Sequence, residues 1–424
     1  MGIFPSINAG RHVRELQGPG VRQETPTAAP EARVAGTVVV YRLYDIGYEI
    51  DLERAMALLA AGPGEPAALR LTLPQPDHPA EPLVADRSLE RRSARAEMQA
   101  LRIKNPPITC ALGGDTIMLD GRPQAVQVAA RIFDFGVVSL RFDVAAPGVL
   151  AWGEFSRFGN AVDECDSASA ALFERHIRGL TGQLRGAIER PQLAPVTEDY
   201  IVFRITRLLG PAGEPLPTAV LRDLDLVPLL LNEQRALSDE ARRELLPYRF
   251  TYYPDDLAVL TWNSALIVDP TEGDSDVQLI LEFANAQLLE LRYYDAVLDA
   301  ELPRMYDRIA ESRAAGRALF RRRYAALLAR LQTLVADSTE IVERAENALK
   351  VTDDVFLARV YAAALELFRG RAWRGGIDHK LAIIRQTYAM LNAESMAVRN
   401  EVLEAAIVVL IIVEIVLALV LGRR

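Results

Sequence analysis

The sequence predicts an α+β protein. A mixed α/β region comes first, then a bundle or coiled coil of long helices, then a single C-terminal transmembrane helix. Three observations predict this. Short β-branched and aromatic runs alternate with helical patterns up to about residue 275. From Val277 the pattern is helical almost to the end. The run Ala405 to Leu421 is apolar at every position except Glu414.

Composition limits the function classes. The chain has 424 residues, half of them apolar and a quarter charged, which excludes wholly disordered and collagen-like proteins. The net charge of −9 gives no overall attraction to nucleic acid, so nucleic acid is not an expected partner. Only Cys110 and Cys165 are present, so a disulfide framework and a Cys-rich zinc site are both excluded. The four histidines, His12, His78, His176 and His379, form no close pair. No Walker A, GxSxG, HExxH or GxGxxG motif occurs, and neither cofactor nor metal is expected. Lys104, Lys350 and Lys380 are the only lysines among 48 basic residues, a bias that fits a GC-rich bacterial genome.

Residues 1–36, rich in Gly and Pro, read as a disordered tail that buries too little to offset its ordering entropy. A first α/β unit is expected over 37–195. It opens with the strand Thr37 to Tyr44, then a helix Leu52 to Ala61 capped by Asp51. Ala68 to Leu73 is a second strand, followed by a long irregular connection over 74–108. Strands resume at 108–112, 116–119 and 126–133, with turns at Gly113-Gly114 and Asp120-Gly121. Phe135 to Phe142 is one more strand, and a helix spans Ala168 to Glu189.

A second α/β unit is expected over 196–275. It holds a strand at 200–208, a helix at 221–233, a helix over 239–246 capped by Ser238, a hairpin around Pro254-Asp255-Asp256 and a strand at 265–268. Strand, helix, hairpin and helix thus occur twice, which points to two related layers packed together.

The helical bundle is expected over 276–398. Leu281, Leu288, Leu302 and Ile309 fall at multiples of seven, and Ala284, Leu291, Leu298 and Met305 form a second row. Such rows serve equally for packing within one chain or between chains. Ser338-Thr339-Glu340, Gly370 and Gly375-Gly376 read as breaks.

The last unit, 399–424, reads as a membrane anchor. Seventeen helical residues span about 25 Å, the short limit for a bilayer core. Thirteen Ile, Val and Leu residues contribute roughly −4 to −8 kcal/mol on the insertion scale. One embedded carboxylate costs about 3 kcal/mol, so insertion wins. A single such span places the bulk of the chain on the cytoplasmic side. A lone carboxylate is costly in lipid, and the same span of another copy is its expected neighbour, so a homo-oligomer is expected with Glu414 and Glu404 at the membrane and oligomer contact. A buried core helix, an apolar helix enclosed in a soluble oligomer, and a Glu414 that is neutral or faces a helix of its own chain are the alternatives.

Other clusters carry weaker chemistry. Asp269 to Asp276 is dense in acids, but Asp276 is explained as a helix cap with Asp274 near the dipole. Arg292 and Asp295 stand three apart on a helix and are expected to pair in a polar network along its seam. Glu282 and Glu290 lie two turns apart, too far to share a substrate. Arg317, Arg321, Arg322, Arg323 and Arg330 form a basic stretch beside Phe320 and Tyr324, with Arg321 to Arg323 able to meet phosphate or lipid headgroups.

Three segments resemble the "required for meiotic nuclear division"/YagE-type family of membrane-anchored proteins. They are Val39-Val40-Tyr41-Arg42-Leu43 with its following helix, Asp134-Phe135-Gly136-Val137-Val138, and Glu404 through Ile415 with its embedded acid. Trp373 and Leu381 also fit, while residues 245–275 depart from the pattern. The resemblance implies a membrane-anchored, self-associating protein with no known catalytic chemistry. The expected function is therefore a tail-anchored scaffold bound to a lipid bilayer, to other copies and to a protein partner. Two other classes stay open: a membrane enzyme acting on nucleotides or lipids in a cleft between the α/β units, and a pore built from clustered spans.

Overall fold

A computed structural model describes residues 32–61, 68–70, 106–271, 273–314 and 354–421, with six positions between 315 and 353. Glu404 and Arg292 lie among these; the 1–31 portion of the expected tail, most of the 74–108 connection and Arg321, Arg322 and Arg323 lie outside the described residues. The end of the expected tail is strand instead: Arg33 to Gly36 open β1, with Val34 fully buried.

Twelve strands are described. They are β1 Arg33–Asp45, β2 Glu49–Ile50, β3 Ala68–Arg70, β4 Ile108–Leu119, β5 Arg122–Ile132, β6 Val137–Ala145, β7 Leu150–Ala151, β8 Ile188–Glu189, β9 Thr197–Leu209, β10 Tyr248–Phe250, β11 Leu257–Leu260 and β12 Ser264–Val268. The α-helices are α1 Leu52–Ala60, α2 Trp152–Asp163, α3 Asp166–Leu184, α4 Val227–Leu230, α5 Asp239–Leu245, α6 Asp276–Ala314, α7 Val355–Leu367 and α8 Gly370–Leu421.

The two expected α/β units do not form two layers. They share one ten-stranded sheet in the order β10-β11-β12-β9-β1-β6-β5-β4-β3, with β7 against β1. The join is β1 with β9, antiparallel over Arg33 to Tyr44, and β12 then adds to β9 in parallel. Among the described residues the halves meet edge to edge through backbone hydrogen bonds rather than as stacked layers with a cleft between them.

β1 lies near the middle and is buried on both faces, which explains its nearly unbroken apolar run. Val34 and Val38 enter one core with α1, α2, α3 and α4. Val39, Tyr41 and Leu43 enter a second core roofed by α6 and α7. On the first face Phe142 stacks on Phe173 of α3, ring centroids 3.8 Å apart. Two glycines are required by close approach. Gly36 sits at a register shift in β1, where a Cβ would lie 2.3 Å from the Arg204 carbonyl oxygen. Gly136, in the β5–β6 turn, has φ +93° and would set a Cβ 1.8 Å from the Gly47 carbonyl oxygen.

Several local expectations change. Gly113-Gly114 makes no turn: β4 runs through with a register shift between Ala111 and Gly113. The helix at 168–189 is preceded by α2, and the helix expected at 221–233 is a 3-10 turn, Thr218–Arg222, then the single turn α4. Ser275, not Asp276, caps α6, its Oγ accepting the Gln278 N–H at 3.1 Å. The break before α8 falls at Arg369, with φ +52°, and the helix passes straight through Gly375-Gly376.

α6 covers the sheet with its first turns and then leaves it as a stem. It runs alongside α8 in the same direction: Arg292 meets Trp373, Asp295 meets Gly376 and Asp299 meets Lys380. The heptad rows divide between these tasks. Leu281, Ala284 and Leu288 pack on the sheet, while Leu291, Leu298, Met305 and Ile309 pack with Ile377, Leu381, Ile384 and Leu391 of α8. These rows are used within the chain.

Candidate functional site

The densest set of buried ionisable groups lies where α6 starts over the sheet. Alternation along β5, β6 and β9 points Arg131, Arg141, Asp143 and Arg204 at the same face as Tyr41. The loop before α6 lowers Asp274 onto them. Arg141 Nη1 lies 2.6 Å from both Asp274 carboxylate oxygens, and Arg131 Nη2 donates to Asp274 Oδ2 at 3.0 Å. Arg131 also donates to Glu282, two turns into α6. Arg204 Nη1 donates to the Gly273 carbonyl at 2.6 Å, and Arg141 Nε lies 3.1 Å from Asp143 Oδ1. Gln278 donates to the Tyr41 hydroxyl.

Charge and burial compete in this cluster. Burial alone would raise Asp274, but Arg141 and Arg131 outweigh it and hold the carboxyl below its ordinary range. At the more deeply buried Glu282, and at Asp143, burial wins and the carboxyls are pushed up. Three guanidiniums face three carboxylates, so the set is formally neutral. Chemically it is a lock that fastens the start of α6 to strands more than a hundred residues away in sequence. Glu282 takes part in an ion pair with Arg131.

The expected Arg292–Asp295 pair is not formed. Arg292 reaches across to Glu198 of β9, and Asp295 binds Lys380 Nζ of α8 at 2.7 Å. Lys380 also lies 2.6 Å from Asp299. Each side chain at i, i+3 thus finds an opposite charge on a different element, which ties α6 to the sheet and to α8.

A groove of about 480 Å³ opens beside α1, lined by Glu49, Asp51, Glu53, Asp134 and Glu189. Asp51 is occupied as the α1 cap, accepting the Arg54 N–H at 3.0 Å. Among the described residues, no group of three His, Cys, Asp or Glu side chains is placed to hold a metal ion.

Glu404 and Glu414 lie far along α8. Every residue from Leu403 to Ile415 is exposed, and all but the two glutamates are apolar. Among the described residues no helix is long and apolar enough to cross a membrane. Ile415 is the last residue of α8 whose side chain is described, while the apolar sequence continues to Leu421.

The ionic cluster, the Arg292–Glu198 bridge and the groove were not legible as constellations. Their members are spread from Glu49 to Arg292, and only strand alternation hints at which of them share a face.

Comparison with known proteins places the sheet portion. A family described as "Uncharacterized protein MJ0711, N-terminal domain" matches residues 35–275. The Uncharacterized protein MJ0711 of Methanocaldococcus jannaschii is 27% identical over 194 residues, covering 46% of this chain and 58% of the relative's length. No solved structure matches. The match begins two residues into β1 and ends one residue before α6, so it takes in the rest of β1 and every strand to β12 together with Arg131, Arg141, Asp143, Arg204 and Asp274. With more than half of its length matched in this way, the chain belongs to the family of the MJ0711 N-terminal domain.

Proposed function

We propose that the chain is a membrane-anchored, self-associating scaffold. Its sheet portion recognises a protein partner, and its helical stem holds copies beside a bilayer. The observation that supports this reading is the far part of α8, where Leu403 to Ile415 leave eleven apolar side chains exposed around the helix. Monomeric soluble proteins rarely expose contiguous apolar patches beyond a few hundred Å². A bilayer covers such a surface without regard to which side of the helix faces out. Glu414 is then best accommodated against the same segment of another copy. The distant YagE-type resemblance of Glu404 to Ile415 fits the same reading.

The test uses the full chain and the double variant Leu410→Arg, Ile411→Arg. Flotation with phospholipid vesicles and mass determination in mild detergent are measured for both. The native chain is expected to float with vesicles and to show a multiple of its own mass, and the variant to lose flotation. A native chain that stays monomeric in water without any amphiphile overturns the reading.

A further inference from the structure

The ten-stranded sheet ends at β10. β10 pairs with β11 on one side, and among the described residues no strand pairs with its other side. Such an edge presents backbone N–H and C=O groups ready to take one more strand.

The two faces of β10 differ. Tyr248 and Phe250 turn to the core roofed by α6 and α7. Their rings start a row that runs on past the strand. Tyr248 lies 6.4 Å from Phe250, Phe250 lies 6.3 Å from Phe356 of α7, and Phe356 lies 5.2 Å from Tyr252, all between ring centroids. Tyr252 is 60% exposed, and Val355 at the start of α7 is 76% exposed. Arg249 points to the opposite face, the face of its cross-strand neighbour Val259, and is exposed. Arg222 closes the 3-10 turn that Thr218 ties to the loop after β10, its Oγ1 donating to the Pro254 carbonyl at 3.0 Å. On the aromatic face the Arg359 guanidinium lies 6.0 Å from the Phe250 ring centroid. Among the described residues no carboxylate pairs with Arg249, Arg222 or Arg359. Asp256, in the same loop, is taken up by the Tyr252 N–H at 2.7 Å.

We propose that β10 is a docking edge for an extended segment of a protein partner in which an acidic residue is flanked by apolar ones. This rests on the reading of the sheet portion as the part that recognises a partner. The added strand continues the sheet through main-chain hydrogen bonds, and its alternate side chains meet different surfaces. The residue opposite Arg249 shares its face, where a carboxylate makes a cross-strand ion pair. The residues on either side of it lie over Tyr248 and Phe250, where apolar side chains extend the aromatic row. A second copy is the poorer occupant, because two β10 edges paired antiparallel about Arg249 set arginine opposite arginine.

The test uses the full chain in mild detergent and the peptides Ser-Thr-Val-Xaa-Val-Thr-Ser, with glutamate, serine or lysine at Xaa. Fluorescence anisotropy measures binding, and amide hydrogen exchange locates it. The glutamate peptide is expected to bind about tenfold more tightly than the lysine peptide and to raise protection at 248–252. Arg249→Glu, a change at an exposed position, is expected to reverse the order of the peptides. No gain of protection at 248–252 with the glutamate peptide overturns the proposal, and so does an unchanged order in Arg249→Glu. Protection at 248–252 that rises with protein concentration in the absence of peptide overturns it too, and assigns the edge to a second copy. None of these readouts involves the bilayer, so their failure is distinct from a failure of the anchor in vesicle flotation.

Discussion

Arg141, in the middle of β6, holds both carboxylate oxygens of Asp274 at 2.6 Å, across 133 residues of sequence. The contact comes two residues before the α6 N-terminus, so it decides where the roof of the sheet begins. The arginine lies at the boundary between the sheet-facing core and solvent, with 15% of its side chain exposed.

Removing one partner of this pair takes away the other's closest opposite charge, leaving Arg141 with Asp143 or Asp274 with Arg131. Asp274→Asn is expected to cost about 2–4 kcal/mol of stability. Arg141→Met combined with Asp274→Leu is expected to cost less than the sum of the single changes. A double-mutant cycle by denaturant unfolding reads the coupling.

The same pair sets an acid limit. Asp274 ionises more readily in the folded chain than in the unfolded one. Its stabilising contribution is full above the ordinary carboxyl range and is lost as pH falls through the lower folded value. Below about pH 4, the stability difference between the native chain and Asp274→Asn should therefore shrink. Thermal unfolding of both chains against pH measures it.

Gly136 and Gly121 both have positive φ, but only Gly136 touches a neighbouring backbone. Gly121→Ala should cost about 1 kcal/mol, from φ alone. Gly136→Ala adds a clash with the Gly47 carbonyl and should cost roughly 3 kcal/mol or more. The gap between their denaturation midpoints isolates the close approach.

In the stem, Leu298 is fully buried between α6 and α8. Leu298→Ala should cost about 2–5 kcal/mol through lost burial and the cavity left behind. Because the stem core is separate from the two sheet cores, hydrogen exchange should rise first in residues 291–309 and 377–391.

Local patterns were readable where local physics decides. Asp51 caps α1 as expected, accepting the Arg54 N–H. Ser238 caps α5 through the Ala241 N–H. Asp120-Gly121 forms its turn because two residues with positive φ close a tight hairpin. The heptad rows marked the buried face of α6, with seven of eight positions buried and Leu302 half-buried. The α2 helix was missed because Trp152 to Asp163 carries few apolar residues and contains Gly153 and Gly159. Gly159 serves packing there: a Cβ would come 2.7 Å from the Phe203 ring.

Residue order alone was enough for the α+β class, the position of most strands, the start of the long helix and the apolar character of 405–421, because periodicity and capping act within a few residues. Tertiary contact decided that the two α/β halves form one sheet, that Arg292 and Asp295 turn to Glu198 and Lys380, and that Arg141 meets Asp274. Those partners lie 85 to 133 residues apart, and an ion pair or a strand ladder goes to whichever opposite group the packed chain brings within reach.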